Sequence, residues 1–433
     1  MRVTPLEDWI MEKSGINERE PKMLEKYQIK KIKETLFYVK KNSRFYREKL
    51  SSINEDKINT LSDFSRIPFT LPHHIGHNPF DFLCVPQKEV KRIITITSSG
   101  TTGEEKRIFF TEADLDSTVD FFKYGFKPML SKQDRVLVLF PGNSYGSVGD
   151  VIKKSLNASD IESFVQGVMV DPDATANFIL NNRINAIVAI PMQVLYFSRV
   201  HSELFKKNID KVLLSADYVP EVLIRELSSE YGCKVFTHYG SSEMGYGGGV
   251  ECEALNGYHL READIYFEII NPDTGKLVED GQYGEIVFTT LTRQAMPLIR
   301  YRTGDIASFS SAPCECRTFL RSMTRALGRI DNSVKISEHG FICLRELDEI
   351  IFKFKEVLDY KACITDPDLL KIEIVSKHKS IQEDVYQSIK RLLCDKLGYK
   401  IDLTVIANPD SMPEKIINSM VKRKINDFRR AVI

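Results

Sequence analysis

The residues most able to do chemistry begin with Ile94–Thr111, ITITSSGTTGEEKRIFFT. Seven consecutive positions, Thr97 to Gly103, are hydroxylic or glycine, and an apolar alternating run flanks each side. Ser and Gly are the least costly way to build a long hairpin loop. Such a loop also offers backbone N–H groups and hydroxyls to a polyanion such as phosphate. The pattern is not a Walker A loop, which needs Gly-Lys-Ser/Thr followed by a helix, and it is not GxGxxG. Here EEKRIFFT follows and reads as a strand, with Lys106 placing a point charge at the loop's exit. A second set is Cys252, His259, Cys314 and Cys316: C-x6-H, then C-x-C much later. Two short-spaced pairs of this kind suit a closed structural zinc site. Ordinary buried cysteines and a satisfied loop histidine are the alternative, but PCECR is not an apolar stretch of the kind that packs into a core.

Elements must hold these groups in place. Residues 22–50 carry apolar positions at helical spacing between basic ones, which predicts one or two amphipathic helices. RIITIT, RVLVLF, NAIVAI, KVLLSA and KVFTHYG read as short strands, with helix-like DATANFILNN and PEVLIRELSSEYG between them. Strands alternating with helices predict a largely parallel α/β architecture. From about residue 264 the runs IYFEII, EIVFTT and PLIRYRTGDIASF predict a β-rich subdomain. After Gly328, CIT, LKIEIVS, a helical 380–397 and IDLTVIA predict a small α+β unit. The expected division is 1–328 and 329–433.

Composition narrows the class. With 60 basic and 60 acidic residues in 433, the balance argues against a nucleic-acid binder. No apolar run approaches the ~20 residues that span a bilayer, and the N-terminus lacks the apolar core of a signal peptide. Eight cysteines are too sparse for a disulfide scaffold, which favours a reducing, cytoplasmic setting.

SSGTTGEEK resembles the phosphate loop of the adenylate-forming (acyl-CoA synthetase) superfamily, most nearly that of phenylacetate–CoA ligase-like enzymes. The likeness continues in order through IPFTLPHHIGHNPFDFLCVP, LLSADYVPE, THYGSSEMGYGGGVECE, GYHLREADIYFEIINPDTG, GEIVFTTLTRQAMPLIRYRTGDI and GRIDNSVKISEHGF, from roughly residue 25 to 345. The resemblance implies a large N-terminal domain and a mobile C-terminal one. It implies attachment of AMP to a carboxylic acid, then transfer of the acyl group to coenzyme A, using ATP and Mg2+. Ser98, Ser99, Gly100, Thr101, Thr102, Gly103 and Lys106 would hold phosphates. Ser215, Ala216 and Asp217 would edge the adenine on which Tyr239 stacks, within the motif His238, Tyr239, Gly240, Ser241, Ser242, Glu243. Ser242 would touch the α-phosphate and Glu243 would ligate Mg2+. Asp305 would accept the ribose hydroxyls and Arg329 would contact ribose or phosphate. Asp331 would be the hinge, and Gly340 would line the coenzyme A channel. Tyr145, Gly146, Tyr246 and Gly247 would line an acyl pocket, with the glycines of GYGGG leaving volume for an aryl or arylacetic acid. Zinc at the Cys/His set would be structural, since the family's chemistry needs none.

The chain departs from this pattern twice. Glu105 stands where the family usually has Pro before the loop Lys, a mild change. Near the C-terminus, where a catalytic Lys is expected after Gly, the sequence has Ser419 and Met420, with Lys415 and Lys422 displaced. Losing such a cation costs on the order of a hundredfold in rate. The expectations are therefore an acid–CoA ligase, an adenylyltransferase that places AMP on a hydroxyl, or a nucleotide-binding homologue with reduced catalysis. Partners are small molecules, with no nucleic acid and no membrane, for a monomer or homodimer.

Overall fold

The computed structural model describes residues 2–97, 105–335, 341–366, 369–377, 383–397, 400–407 and 423–429. Its chain forms two compact units, each assembled from separated segments. Unit 1 comprises Met1–Gln133, Pro141–Ser163 and Thr237–Ala326; unit 2 comprises Asp134–Phe140, Phe164–Phe236 and Leu327–Ile433. Among the described residues no helix is long and apolar enough to cross a membrane.

Unit 1 opens with α1 (Pro5–Ser14) and α2 (Pro21–Asn42). Proline occupies the first turn of each, where a missing N–H costs nothing. The predicted amphipathic stretch is thus α2 plus a short helix at Arg44–Lys49. Leu24, Ile32, Leu36 and Val39 form the buried stripe of α2. Helix α1 is tied down by polar contacts: the Trp9 indole donates to Asp120 at 2.7 Å, and Lys13 to Ser117 at 2.7 Å and Asp264 at 2.9 Å. The flanks of the hydroxyl-rich loop form an antiparallel ribbon, β1 (Arg92–Thr97) with β2 (Glu105–Phe110). A three-stranded antiparallel sheet follows, from Ile265–Ile270, Gly284–Thr290 and Tyr301–Ala307. Arg300 and Glu268 form a double-pronged ion pair beneath it, with both bonds at 3.0 Å and both side chains buried. The predicted strand PLIRYRTGDIASF is shorter than its run, since Pro297 cannot donate to a ladder.

Unit 2 contains the predicted parallel strands Arg135–Val138, Ala186–Ala189 and Lys211–Leu214, paired in register. Helices Pro172–Asn182, Pro191–Val200 and Glu221–Ser229 come between or after them. The C-terminal segment adds a four-stranded sheet ordered Lys400–Ala407, Leu369–Ser376, Val357–Asp366, Ile425–Asp427, with helices Leu344–Ile351 and Glu383–Leu397. One apolar cluster includes residues from both parts, among them Leu195, Leu227, Ile351, Val357 and Ile374. Arg199 sits beside that cluster, 3% exposed. It grips Glu226 and donates to the carbonyls of Phe352 at 2.6 Å, Phe354 at 3.0 Å and Val357 at 2.5 Å. Glu349 caps the start of Glu221–Ser229, accepting from the N–H of Glu221 at 2.6 Å and the hydroxyl of Tyr218 at 3.0 Å.

Candidate functional site

Lys106 is the second residue of β2, at the exit of the hydroxyl-rich loop. Its ammonium meets the Glu243 carboxylate at 2.5 Å, and the Tyr301 hydroxyl donates to the same oxygen at 3.0 Å. Glu243 is 7% exposed. Burial pushes its pKa up, but the charge and hydrogen bond of Lys106 outweigh burial, so the net shift is downward and the carboxylate stays ionised. The Arg293 guanidinium donates to the Glu243 carbonyl at 2.5 Å and lies over the Phe110 ring at 4.9 Å. Burial lowers its pKa to about 10, so it remains charged at neutral pH.

The turn carrying Glu243 is shaped by close approach. The strand Lys234–Tyr239 ends, the chain turns, and Gly249–Glu251 returns antiparallel to His238 and Tyr239. A Cβ at Gly240 would lie 1.8 Å from the Tyr246 carbonyl, so only glycine fits there. Tyr246 itself is left-handed, at φ 71°, as is Ala216 at φ 72°. Non-glycine residues held in that region are uncommon and gather at functional sites. Ser241 and Ser242 accept turn hydrogen bonds through their carbonyls, Ser241 from Tyr246 at 2.8 Å and Ser242 from Gly245 at 3.0 Å.

Asp305 lies on the strand Tyr301–Ala307 and accepts from the Tyr239 hydroxyl at 2.8 Å. Tyr239 is buried and stacks near Tyr258, with centroids 6.1 Å apart. His238 is buried beside the Phe122 ring, and burial lowers its pKa to about 3, so the ring is neutral. The Tyr246 hydroxyl donates to the Gly146 carbonyl at 2.8 Å, bringing two of the expected pocket residues together. Tyr145 is half-exposed, with the Lys154 ammonium 4.0 Å from its ring centroid. The glycines of GYGGG do not leave volume as expected. A Cβ at Gly247 would come within 2.6 Å of Phe121, and one at Gly249 within 2.9 Å of Leu260 and Tyr258. They serve tight packing rather than space.

Of the other expected residues, Ser215, Ala216, Asp217, Arg329 and Asp331 belong to unit 2. Ser215 follows Lys211–Leu214, and its N–H donates to the Ala189 carbonyl at 3.1 Å. Asp217 accepts from the Tyr218 N–H at 2.8 Å. Asp331 lies in the 3-10 turn Ile330–Asn332, which Arg329 precedes. Ser98 to Gly103, Gly340, Lys415, Ser419, Met420 and Lys422 lie outside the described residues.

Sequence reasoning missed Tyr301 and Arg293. Both sit inside GEIVFTTLTRQAMPLIRYRTGDI, of which it singles out Asp305 alone. At strand period, the residues two and four before Asp305 are Thr303 and Tyr301, and that spacing is the available signal.

The Cys/His set converges in unit 1. One ligand atom from each of Cys252, His259, Cys314 and Cys316 lies within 4.8 Å of the others. Cys252 and Cys314 sulfurs are 3.6 Å apart, and Cys316 Sγ is 3.4 Å from His259 Nε2. A tetrahedral zinc ion with Zn–S near 2.3 Å and Zn–N near 2.0 Å gives edges of about 3.8 Å and about 3.5 Å. The donor set therefore fits zinc with four ligands and no open position. Hydrogen bonding to Cys252 outweighs burial and lowers the Cys316 thiol well below its usual range, while burial of His259 is outweighed by Cys314 and Cys316, raising the ring to about 9. Nδ1 of His259 is buried without a hydrogen-bond partner among the described residues, so none of them orients the ring from behind.

The fold is that of an adenylate-forming α/β enzyme. The structure superposes on 2-hydroxyisobutyryl-CoA ligase, solved in the postadenylation state with R3-HIB-AMP, at TM-score 0.81 and 19% identity, covering 95% of this chain and 92% of that one. The model of the AMP-binding enzyme family matches residues 27–292, and the chain belongs to that family. It is similar to phenylacetate-coenzyme A ligase of Thermus thermophilus, 30% identical over 439 residues, 93% of this chain and 96% of the relative. It is also similar to phenylacetate-coenzyme A ligase of Escherichia coli, 27% identical over 413 residues, 90% of each.

Proposed function

We propose that this protein is an ATP-dependent, AMP-forming acid–CoA ligase acting on an aryl or arylacetic acid. A carboxylate is a poor electrophile because its charge is delocalised; a mixed anhydride with AMP supplies a leaving group, which the thiol of coenzyme A displaces. The observation that carries the reading is the Lys106–Glu243 pair, braced by Tyr301 at the mouth of the hydroxyl-rich loop. Glu243, held ionised, would ligate Mg2+, which supplies charge neutralisation when bound. Lys106 and the Ser98–Gly103 loop would take the phosphates, with Ser242 on the α-phosphate. Asp305 would accept the ribose hydroxyls, and its Tyr239 partner, with Ser215 to Asp217, would flank the adenine. Arg329 would join them, Asp331 would be the hinge for residues 329–433, and Gly340 would line the coenzyme A path. Cys252, His259, Cys314 and Cys316 would hold a structural Zn2+.

ATP–pyrophosphate exchange with a panel of carboxylic acids tests this. Acid-dependent exchange followed by coenzyme A-dependent AMP release supports it, and Asp305→Ala is expected to abolish ATP binding. Unchanged ATP affinity in that variant would count against the whole assignment. A second reading, a nucleotide-binding homologue with reduced catalysis, is favoured by Met420 at the position of the expected Lys; it predicts tight ATP binding with no exchange. AMP transfer to a hydroxyl would instead mark an adenylyltransferase.

A further inference from the structure

Cross-strand partners share a face of a ribbon. In β1–β2, Lys106 faces Ile96, Ile108 faces Ile94 and Phe110 faces Arg92. Alternate residues also share a face, so one row runs from Lys106 through Ile108 to Phe110, with Arg92 beside its far end. Two contacts fix the row's ends. Lys106 meets Glu243, and Phe110 stacks on Tyr246, with centroids 6.1 Å apart and planes 11° apart. Four residues at about 3.4 Å each separate the two cations by roughly 14 Å along the ribbon.

Arg92 lacks a counter-ion among the described residues. Its Nη1 donates to the Ser144 hydroxyl at 3.1 Å, and its charge lies near the Tyr246 hydroxyl. Its Nε is buried and has no partner among the described residues. The carboxylate of Asp150 is engaged elsewhere, by the Gly146 N–H at 2.8 Å and Lys154 at 2.9 Å. The Arg92 fork matches a carboxylate. Along the ribbon it lies far from the phosphates assigned to Lys106.

We propose that Arg92 is a specificity residue that receives a second carboxylate, so that the preferred substrate is a rigid aryl diacid whose far carboxylate meets Arg92 while the near one reacts. This rests on the ligase reading, with Ser144, Gly146 and Tyr246 beside the acyl pocket. The charge of the far group stays unchanged through the reaction; it contributes orientation, not chemistry.

The test is ATP–pyrophosphate exchange by the wild-type chain and Arg92→Met with three probes: phenylacetate, 4-carboxyphenylacetate and its uncharged isostere 4-carbamoylphenylacetate. The wild type is expected to favour 4-carboxyphenylacetate over both others by about tenfold or more in kcat/KM. In Arg92→Met that ratio falls by about tenfold, and the diacid and its amide become equivalent. Exchange with phenylacetate and a diacid ratio that is near one, or that the variant leaves intact, overturns the Arg92 assignment while the ligase reading stands. No exchange with any probe, despite ATP binding, sinks both.

Discussion

Glu262 has an unusual position for a carboxyl. It is buried, its Oε2 has no partner among the described residues, and burial outweighs the attraction of Arg321 to raise its pKa to about 7. The sign of the consequence is fixed by proton counting. Below the ordinary glutamate pKa both folded and unfolded chains are protonated. As pH rises to 7 the unfolded chain loses its proton while the folded chain keeps it, so stability falls across that interval and levels off above it. Glu262→Gln removes the cost. Relative to wild type, the variant is expected to gain stability as pH rises from about 4.5 to 7, by about 3 kcal/mol in all. Denaturant titrations at several pH values check this; a difference that is flat with pH refutes it. Glu243, also a buried glutamate, behaves oppositely because Lys106 and Tyr301 give it partners.

At the scale of elements, the Cys/His set ties the loop before Ser322–Met323 to the sheet that Ser322–Met323 itself joins. Cys252 follows the strand Gly249–Glu251, His259 lies in Tyr258–Leu260, and Cys314 and Cys316 sit in the loop before Ser322–Met323. Thr318 then donates to Glu7 of α1 at 2.5 Å, so the loop is also anchored to the N-terminal helix. Protein purified without added metal is expected to carry about one zinc per chain. Chelation should lower the melting temperature and open hydrogen exchange in residues 311–320 and 5–14, leaving nucleotide affinity nearly unchanged. Less than about a tenth of an equivalent of zinc would end the proposal. This site was legible because C-x6-H and C-x-C are polar-context spacings that packing alone does not produce. Strands and helices of the α/β part were legible through their periods of two and 3.6, and the ribbon around the hydroxyl loop through alternation. The division of the chain was less so: segments 134–140 and 164–236 pack with 327–433, a long-range pairing that leaves no local mark. Arg293 and Arg92 escaped for the same reason, since what singles each out is a partner far away in sequence, whereas Tyr301 carried a local mark in its strand-period spacing from Asp305.

Taken whole, the molecule keeps several charges inside, each with its own solution. Arg300 pairs with Glu268 and donates to the carbonyls of Ser65 and Ile67, all earlier in the chain, whereas Arg199 divides its hydrogen bonds between Glu226 and three carbonyls of residues 352–357. The two cases differ in when their partners exist. Arg300 follows Glu268 by a short stretch of chain; Arg199 must wait for more than 150 residues. During synthesis, therefore, the helix Pro191–Val200 leaves the ribosome with a cation that only Glu226 can answer and an apolar flank that nothing yet covers. A nascent chain halted at residue 328 should be a chaperone client: pulse proteolysis ought to cut it within 164–236, while the released full-length protein resists there. If the arrested chain proves equally protected, the last hundred residues are not what completes that half of the molecule.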